Sequence, residues 1–284
     1  MGSVVYFAWH ELRHTVTSVR FYASIAILAA GLYSIFGGVG AYLAANELKL
    51  QITELFTLYT NSVFAQRLML LGSLLLLADA PFIREGLSYR LLRSDKIHWY
   101  LGQLLYCAII AAIYLLATFL LLACMTGGHV TMENTWSEPF LTLCQAADMG
   151  EVVDYELDII ISMNYTMGIP NGGSPYQMLG LAFLYAWFLV MLNCVIGMAL
   201  NLRFRTGVGM LSAVALIVLR MASIRGEIDY NNIEPGYLAS VGLRDVSAGT
   251  VGYTCAYFLI LITVAAVIAY WAAKRADMQR MVSE

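Results

Sequence analysis

Long apolar segments alternate with short polar ones along most of the chain. A helix needs roughly 20 mostly apolar residues to cross a bilayer. Six windows reach or approach that length, at residues 21–42, 62–80, 101–125, 178–201, 207–222 and 251–271. The pattern predicts an all-α integral membrane protein whose six transmembrane helices form a single domain over residues 1–284.

A periodic segment precedes the first window. Its apolar residues recur at intervals of four and three positions, as on one face of a helix: Val5, Trp9, Leu12, Val16 and Val19. The spacing predicts an amphipathic helix over residues 4–20. Such a helix can lie in the inner membrane interface before the chain enters the bilayer. A cytoplasmic extension of the first transmembrane helix is the alternative.

Composition and charge support a membrane location. Hydrophobic residues make up 60% of the chain and charged residues 12%, whereas a soluble domain has about 45–50% and about 25%. Lys and Arg concentrate at residues 1–20, 84–96, 203–205 and 274–280, and cytoplasmic loops carry such an excess. We expect a multi-pass protein of a bacterial inner or plasma membrane, with both termini in the cytoplasm.

Three charged residues fall inside the predicted windows. Arg67, Asp79 and Arg220 each lie near a window end, where a long side chain can reach the membrane surface. We expect them to act as interfacial anchors and not to line an ion pathway. The other four windows contain no carboxylate, which argues against a proton-coupled transporter.

The loop at residues 126–177 contains seven Asp and Glu residues and no Lys or Arg. This charge fits an external loop and argues against nucleic-acid binding. Its acidic residues would concentrate cationic molecules by long-range attraction. Four acidic residues of this loop are candidates for substrate contact or gating: Glu151, Asp154, Glu156 and Asp158. A solubilising cap is an equally good interpretation.

One short motif suggests an enzyme. His10, Glu11 and His14 form an HExxH pattern, which on a helix can place two zinc ligands and a general base together. A catalytic zinc site also needs a third protein ligand, and no Leu-Asp-Gly sequence occurs to supply one from a later helix. The polar face of an interfacial helix is the favoured interpretation, and a membrane zinc protease is the alternative.

The basic segment at residues 84–96 interrupts the apolar pattern between the second and third windows. No GxxxxGK[ST] motif occurs in the chain, so it lacks the phosphate-binding loop of the common ATPases. A cationic cytoplasmic element without an ATP site is typical of a surface on which a soluble partner docks.

The order of these elements resembles the permease subunit of the ABC-2 (type V-like) exporters over nearly the whole chain. Residues 11–13 and 19–22 look like the family's elbow helix entering the first transmembrane helix. The sequences Asp-Ala-Pro-Phe-Ile-Arg-Glu-Gly at 79–86, Tyr-Arg-Leu-Leu-Arg-Ser at 89–94 and Trp-Tyr-Leu-Gly-Gln at 99–103 look like its second helix, coupling helix and third helix.

The resemblance implies a non-catalytic permease that needs no cofactor or metal of its own. It would pair with a second permease chain, identical or homologous, and with two copies of a cytoplasmic ABC ATPase that bind ATP and Mg. The substrate would be a peptide, a drug or a lipid-like molecule. The residues implied to contact the ATPase are Arg84, Glu85, Tyr89, Arg90 and Arg93. An immunity or sensor protein that binds a peptide at its acidic loop is a further alternative.

Overall fold

The computed structural model describes residues 2–77, 80, 95–149, 166–204, 207–224, 233–244 and 246–275. The described chain is mostly helical. Its helices are α1 (Gly2–Val16), α2 (Val19–Phe36), α3 (Val39–Ala45), α4 (Glu54–Asn61), α5 (Val63–Leu77), α6 (Lys96–Met125), α7 (Glu138–Met149), α8 (Gly168–Asn171), α9 (Pro175–Arg203), α10 (Leu211–Ile224), α11 (Pro235–Leu238) and α12 (Ala248–Arg275). Two short strands, β1 (Leu50–Gln51) and β2 (Val130–Thr131), pair in parallel.

Among the described residues, four helical segments are long and apolar enough to cross a membrane: Val19–Ala45, Lys96–Met125, Pro175–Arg203 and Ala248–Arg275. They match the first, third, fourth and sixth predicted windows. The second and fifth windows hold the shorter helices α5 and α10, of 15 and 14 residues. At about 1.5 Å per residue, each is only ~20 Å long.

One end of the bundle collects the start of α6 and the ends of α9 and α12. Trp99, Met198 and Ala273 belong to one buried apolar cluster there, together with Phe7 of α1. Basic residues lie at this same end, namely Lys96 at the start of α6, Arg203 at the end of α9, and Lys274 and Arg275 at the end of α12. We call this the basic end of the bundle.

Helix α1 packs along α6, and a glycine allows the close approach. A Cβ atom on Gly102 would lie 2.6 Å from Phe7 Cβ. The predicted amphipathic helix is present but ends at Val16, and Ser18 caps the start of α2 by accepting a hydrogen bond from Phe21 N. Within the predicted apolar face, Val5 and Trp9 are 55% and 64% exposed, whereas Leu12 is partly buried and packs against the core.

Helix α9 occupies the centre of the bundle and contacts α12, α6, α4, α5 and α10. It begins with a capping box between Ser174 and Gln177 and with Pro175 in its first turn, the residue types that favour a helix start. Helix α4 lies against α9, and all eight of its residues are buried. Helix α4 does not continue directly into the second window, because the helix breaks at Ser62, where the backbone is extended.

Candidate functional site

Polar side chains join α5, α9 and α10 at three depths along their length, and we call this set the polar seam. Its members are Gln66 and Ser73 on α5, Asn193 and Asn201 on α9, Ser212 and Arg220 on α10, and Glu234 just before α11; all seven are buried. Buried polar groups between apolar helices are costly unless they bond to one another. Each level of the seam meets that requirement in its own way.

At the level nearest the basic end of the bundle, which we call the inner level, Asn201 connects the ends of two short helices. Its Nδ2 donates to Ala80 O at 2.7 Å, just beyond α5. Its Oδ1 accepts from Gly207 N and Gly209 N at 3.1 and 2.6 Å, in the turn that leads into α10. Gly207 has a φ of 96°, a conformation that favours glycine. One side chain therefore holds the inner ends of α5 and α10 on α9.

At the middle level, Asn193 bridges α5 and α10. Its Nδ2 donates to Ser73 Oγ at 3.2 Å, and its Oδ1 accepts from Ser212 Oγ at 2.7 Å. These side chains lie on three different helices, so the bonds fix the rotation of each helix about its axis.

At the outer level, Arg220 and Glu234 form a buried ion pair. Arg220 Nη1 lies 2.8 Å from Glu234 Oε2, and the two residues are 5% and 1% exposed. Glu234 also accepts from Gly236 N and Tyr237 N at the start of α11. The sequence predicts that Arg220 acts as an interfacial anchor, and the structure buries its guanidinium against this carboxylate.

Gln66 completes the outer level. Its Nε2 donates to Thr60 O, Gly236 O and Ser240 Oγ at 2.9, 3.0 and 2.9 Å. These bonds tie the start of α5 to the end of α4 and to α11. Together with the ion pair, they make α5, α10 and α11 one connected unit at the outer end.

A second polar junction lies outside the membrane helices, around Glu54 at the start of α4. The carboxylate accepts from Ser137 N and Ser137 Oγ at 2.7 Å each and from Gln51 N at 2.9 Å. Ser137 directly precedes α7, and Gln51 lies in β1. Burial raises the pKa of Glu54 from 4.5 to about 7, against the lowering effect of these three hydrogen bonds. The junction ties the base of the acidic loop to the bundle.

The residues predicted to contact an ATPase, Arg84, Glu85, Tyr89, Arg90 and Arg93, lie outside the described part of the chain. So do the loop carboxylates Glu151, Asp154, Glu156 and Asp158. The structure does place the elements that flank both sets. Ala80 and α6 border the basic segment on either side, and α7 and α8 border the acidic one.

The HExxH residues diverge on α1. Glu11 is buried, His10 is half-buried and His14 is exposed, so the carboxylate and the second histidine do not share one environment. Within the described ranges no group of three His, Cys, Asp or Glu side chains is placed to hold a metal ion. The motif gains no third ligand from the described residues.

Most of the polar seam is not evident from the charged residues of the apolar windows, because most of its members are uncharged. Gln66, Asn193 and Asn201 are visible in or beside those windows as isolated amides. An amide within an apolar helix is itself a signal, since it must find a partner. Glu234 and Glu54 carry no comparable signal, because both lie outside the six apolar windows.

Comparison with protein-family models, with curated proteins and with solved structures found no match to the chain.

Proposed function

We propose that this chain is the membrane permease subunit of an ATP-driven exporter and acts with a separate cytoplasmic ATPase. In this proposal α5 and α10 complete a set of six membrane-crossing helices. The basic segment at 84–96 is the ATPase docking point, and two permease chains pair. The observation that carries the proposal is the polar seam, because it connects the helix that leads into this segment with the outer end of the bundle.

The cytoplasmic end supports a docking role for the basic segment. Helix α6 starts at Lys96, the last residue of that segment, and Phe7 of α1 packs against its first turns at Gly102. Tyr100 on the same helix donates its hydroxyl to Ala266 O of α12. A force applied to the basic segment would therefore reach α1 and α12 as well as α6.

The polar seam supports transmission across the bundle. Helix α5 leads into the basic segment, and its inner end is bound to Asn201 through Ala80 O. Its outer end is bound through Gln66 to α11. A rigid-body tilt of α5 driven by the ATPase would carry α10 and α11 with it, which is how a two-state transporter moves its helices.

The test is ATP hydrolysis by the complex purified in mild detergent from its native host. We expect a protein with a phosphate-binding loop to co-elute with the tagged chain. We expect Arg90→Glu to abolish stimulation of its ATPase activity while membrane insertion is unchanged. Lys49→Glu, the same charge reversal at an exposed outer position, is the matched control and should leave stimulation intact. Unchanged ATP turnover in Arg90→Glu would show that the docking assignment is wrong.

A further inference from the structure

Helix α7 is attached to the rest of the protein at its first turn, through the Glu54 junction. Ser137 caps the helix, since its Oγ accepts from Phe140 N at 3.4 Å. The same hydroxyl and the Ser137 backbone N–H donate to the two carboxylate oxygens of Glu54, at 2.7 Å each. The residue that starts α7 is therefore also the residue that binds α7 to α4.

The remaining attachment of α7 is small. Of the eight residues from 138 to 145, three are buried: Phe140, Leu143 and Cys144. Their side chains belong to the main buried cluster of the protein. All eight residues of α4 are buried by comparison. An element with little buried apolar surface can separate locally at a lower free energy than the whole protein unfolds, so α7 can leave α4 and β1 while the bundle stays folded.

Glu54 is the titrating group at this contact, and it is fully buried. The elements that meet there are β1, β2, the start of α7 and the start of α9. The titratable side chains next to the junction are Lys49, His129, Glu133, Glu138 and Tyr176. His129 is half-buried, and the other four are exposed. The pKa of Glu54 has no contribution from any of them, nor from Tyr59 on the same helix.

We propose that the Glu54 junction is a pH-sensitive switch, which holds α7 on α4 and β1 in mildly acidic solution and releases it in mildly alkaline solution while the membrane helices stay folded. The closed junction buries the neutral acid. Opening places the carboxyl in water, where it loses its proton to the solvent. The proposal does not depend on the transport function.

The direction of the switch follows from the two states of Glu54. Burial raises the pKa of the carboxyl from 4.5 to about 7 in the closed junction, and opening returns it to the lower value. Because the closed state has the higher pKa, closure is favoured most strongly below pH 4.5. The open fraction rises with pH between 4.5 and 7 and levels off above 7.

The experiment uses cysteines that the chain already contains. Cys144 on α7 is buried, so N-ethylmaleimide should label it only after α7 separates. Cys124 is exposed at the end of α6, and its labelling corrects for the pH dependence of thiol chemistry itself. Peptide mass spectrometry of the full chain in detergent measures both rates from pH 5.5 to 8.5.

We expect the ratio of the Cys144 rate to the Cys124 rate to rise roughly 30-fold over this range, most of it below pH 7. Cys107, which is buried in α6, should stay unlabelled, because the opening is local. The proposal is overturned if the ratio is the same at both ends of the range, or if Cys107 is labelled together with Cys144. Both results are obtained on the unmodified chain.

Two variants assign the titration. Glu54→Gln removes the ionising carboxyl and should make the ratio independent of pH. His129→Gln removes the histidine beside β2, a residue type that usually titrates near neutral pH, and should keep the full rise. A rise that persists in Glu54→Gln, or one that disappears in His129→Gln, would show that Glu54 is not the switch.

Discussion

The Glu54 junction predicts a pH dependence whose sign can be worked out. Glu54 is fully buried, and it accepts hydrogen bonds from two elements, β1 and the residue before α7. Among the described residues no charged group adds to its pKa shift, which comes from desolvation opposed by bonds from Ser137 and Gln51. Desolvation favours the neutral acid in the native state, whereas water favours the carboxylate in the unfolded chain.

The size of the effect follows from the two pKa values. Raising the pKa from 4.5 to about 7 corresponds to ~3 kcal/mol at about 1.4 kcal/mol per pH unit. Because the native pKa is the higher one, this contribution to the free energy of unfolding is fully present below pH 4.5. It is lost as the pH rises through 7, so the junction becomes less stable in mildly alkaline solution.

The assay compares the unfolding midpoint of the unmodified chain with that of Glu54→Gln, in detergent, from pH 4.5 to 8.5. Glutamine cannot ionise, so the difference between the two curves isolates the titration of this carboxyl. The unmodified chain should lose several degrees relative to the variant as the pH rises. Glu138→Gln neutralises an exposed neighbour on α7 and should run parallel to the unmodified chain. Desolvation would not dominate the pKa of Glu54 if the midpoints of Glu54→Gln and the unmodified chain changed in parallel with pH. The same conclusion would follow if the midpoint of the unmodified chain rose relative to the variant as the pH increased.

Three further predictions concern packing and the polar seam. A Cβ on residue 72 would lie 2.1 Å from Tyr114 Oη, so Gly72→Ala should lower the free energy of unfolding by about 1–3 kcal/mol. Adding Tyr114→Phe removes that hydroxyl, and the double variant should recover part of the lost free energy. Glu234→Gln leaves Arg220 buried without a countercharge and should cost about 3–5 kcal/mol; denaturant unfolding would detect it, and an unchanged midpoint would contradict the ion pair. Asn201→Ala should cost about 1–3 kcal/mol by removing the acceptor for two backbone N–H groups, and protection of the Gly209 amide from hydrogen exchange should fall.

The sequence predicts the long helices well because their signal is length and composition alone. Residues 101–125 and 251–271 contain enough consecutive apolar residues that no other structure is competitive. Helix α11 also begins with a recognisable pattern, in which Pro235 follows a capping glutamate. Positions on a helix face are less secure. The spacing of Val5 and Trp9 correctly predicts a helix. Hydrophobicity alone, however, does not distinguish a helix face that packs on protein from one that faces outward.

Arg220 shows why polar contacts inside a membrane protein are hard to infer from sequence. An arginine side chain near a window end can reach outward to the membrane surface or pair with a buried carboxylate, and both arrangements are low in energy. The choice depends on Glu234, which lies 14 residues later in the chain and also caps the start of α11. Arg67 has a similar position but contacts Met221 instead. Two arginines in similar positions along their windows thus have different partners, and the positions themselves do not predict which partner each arginine finds.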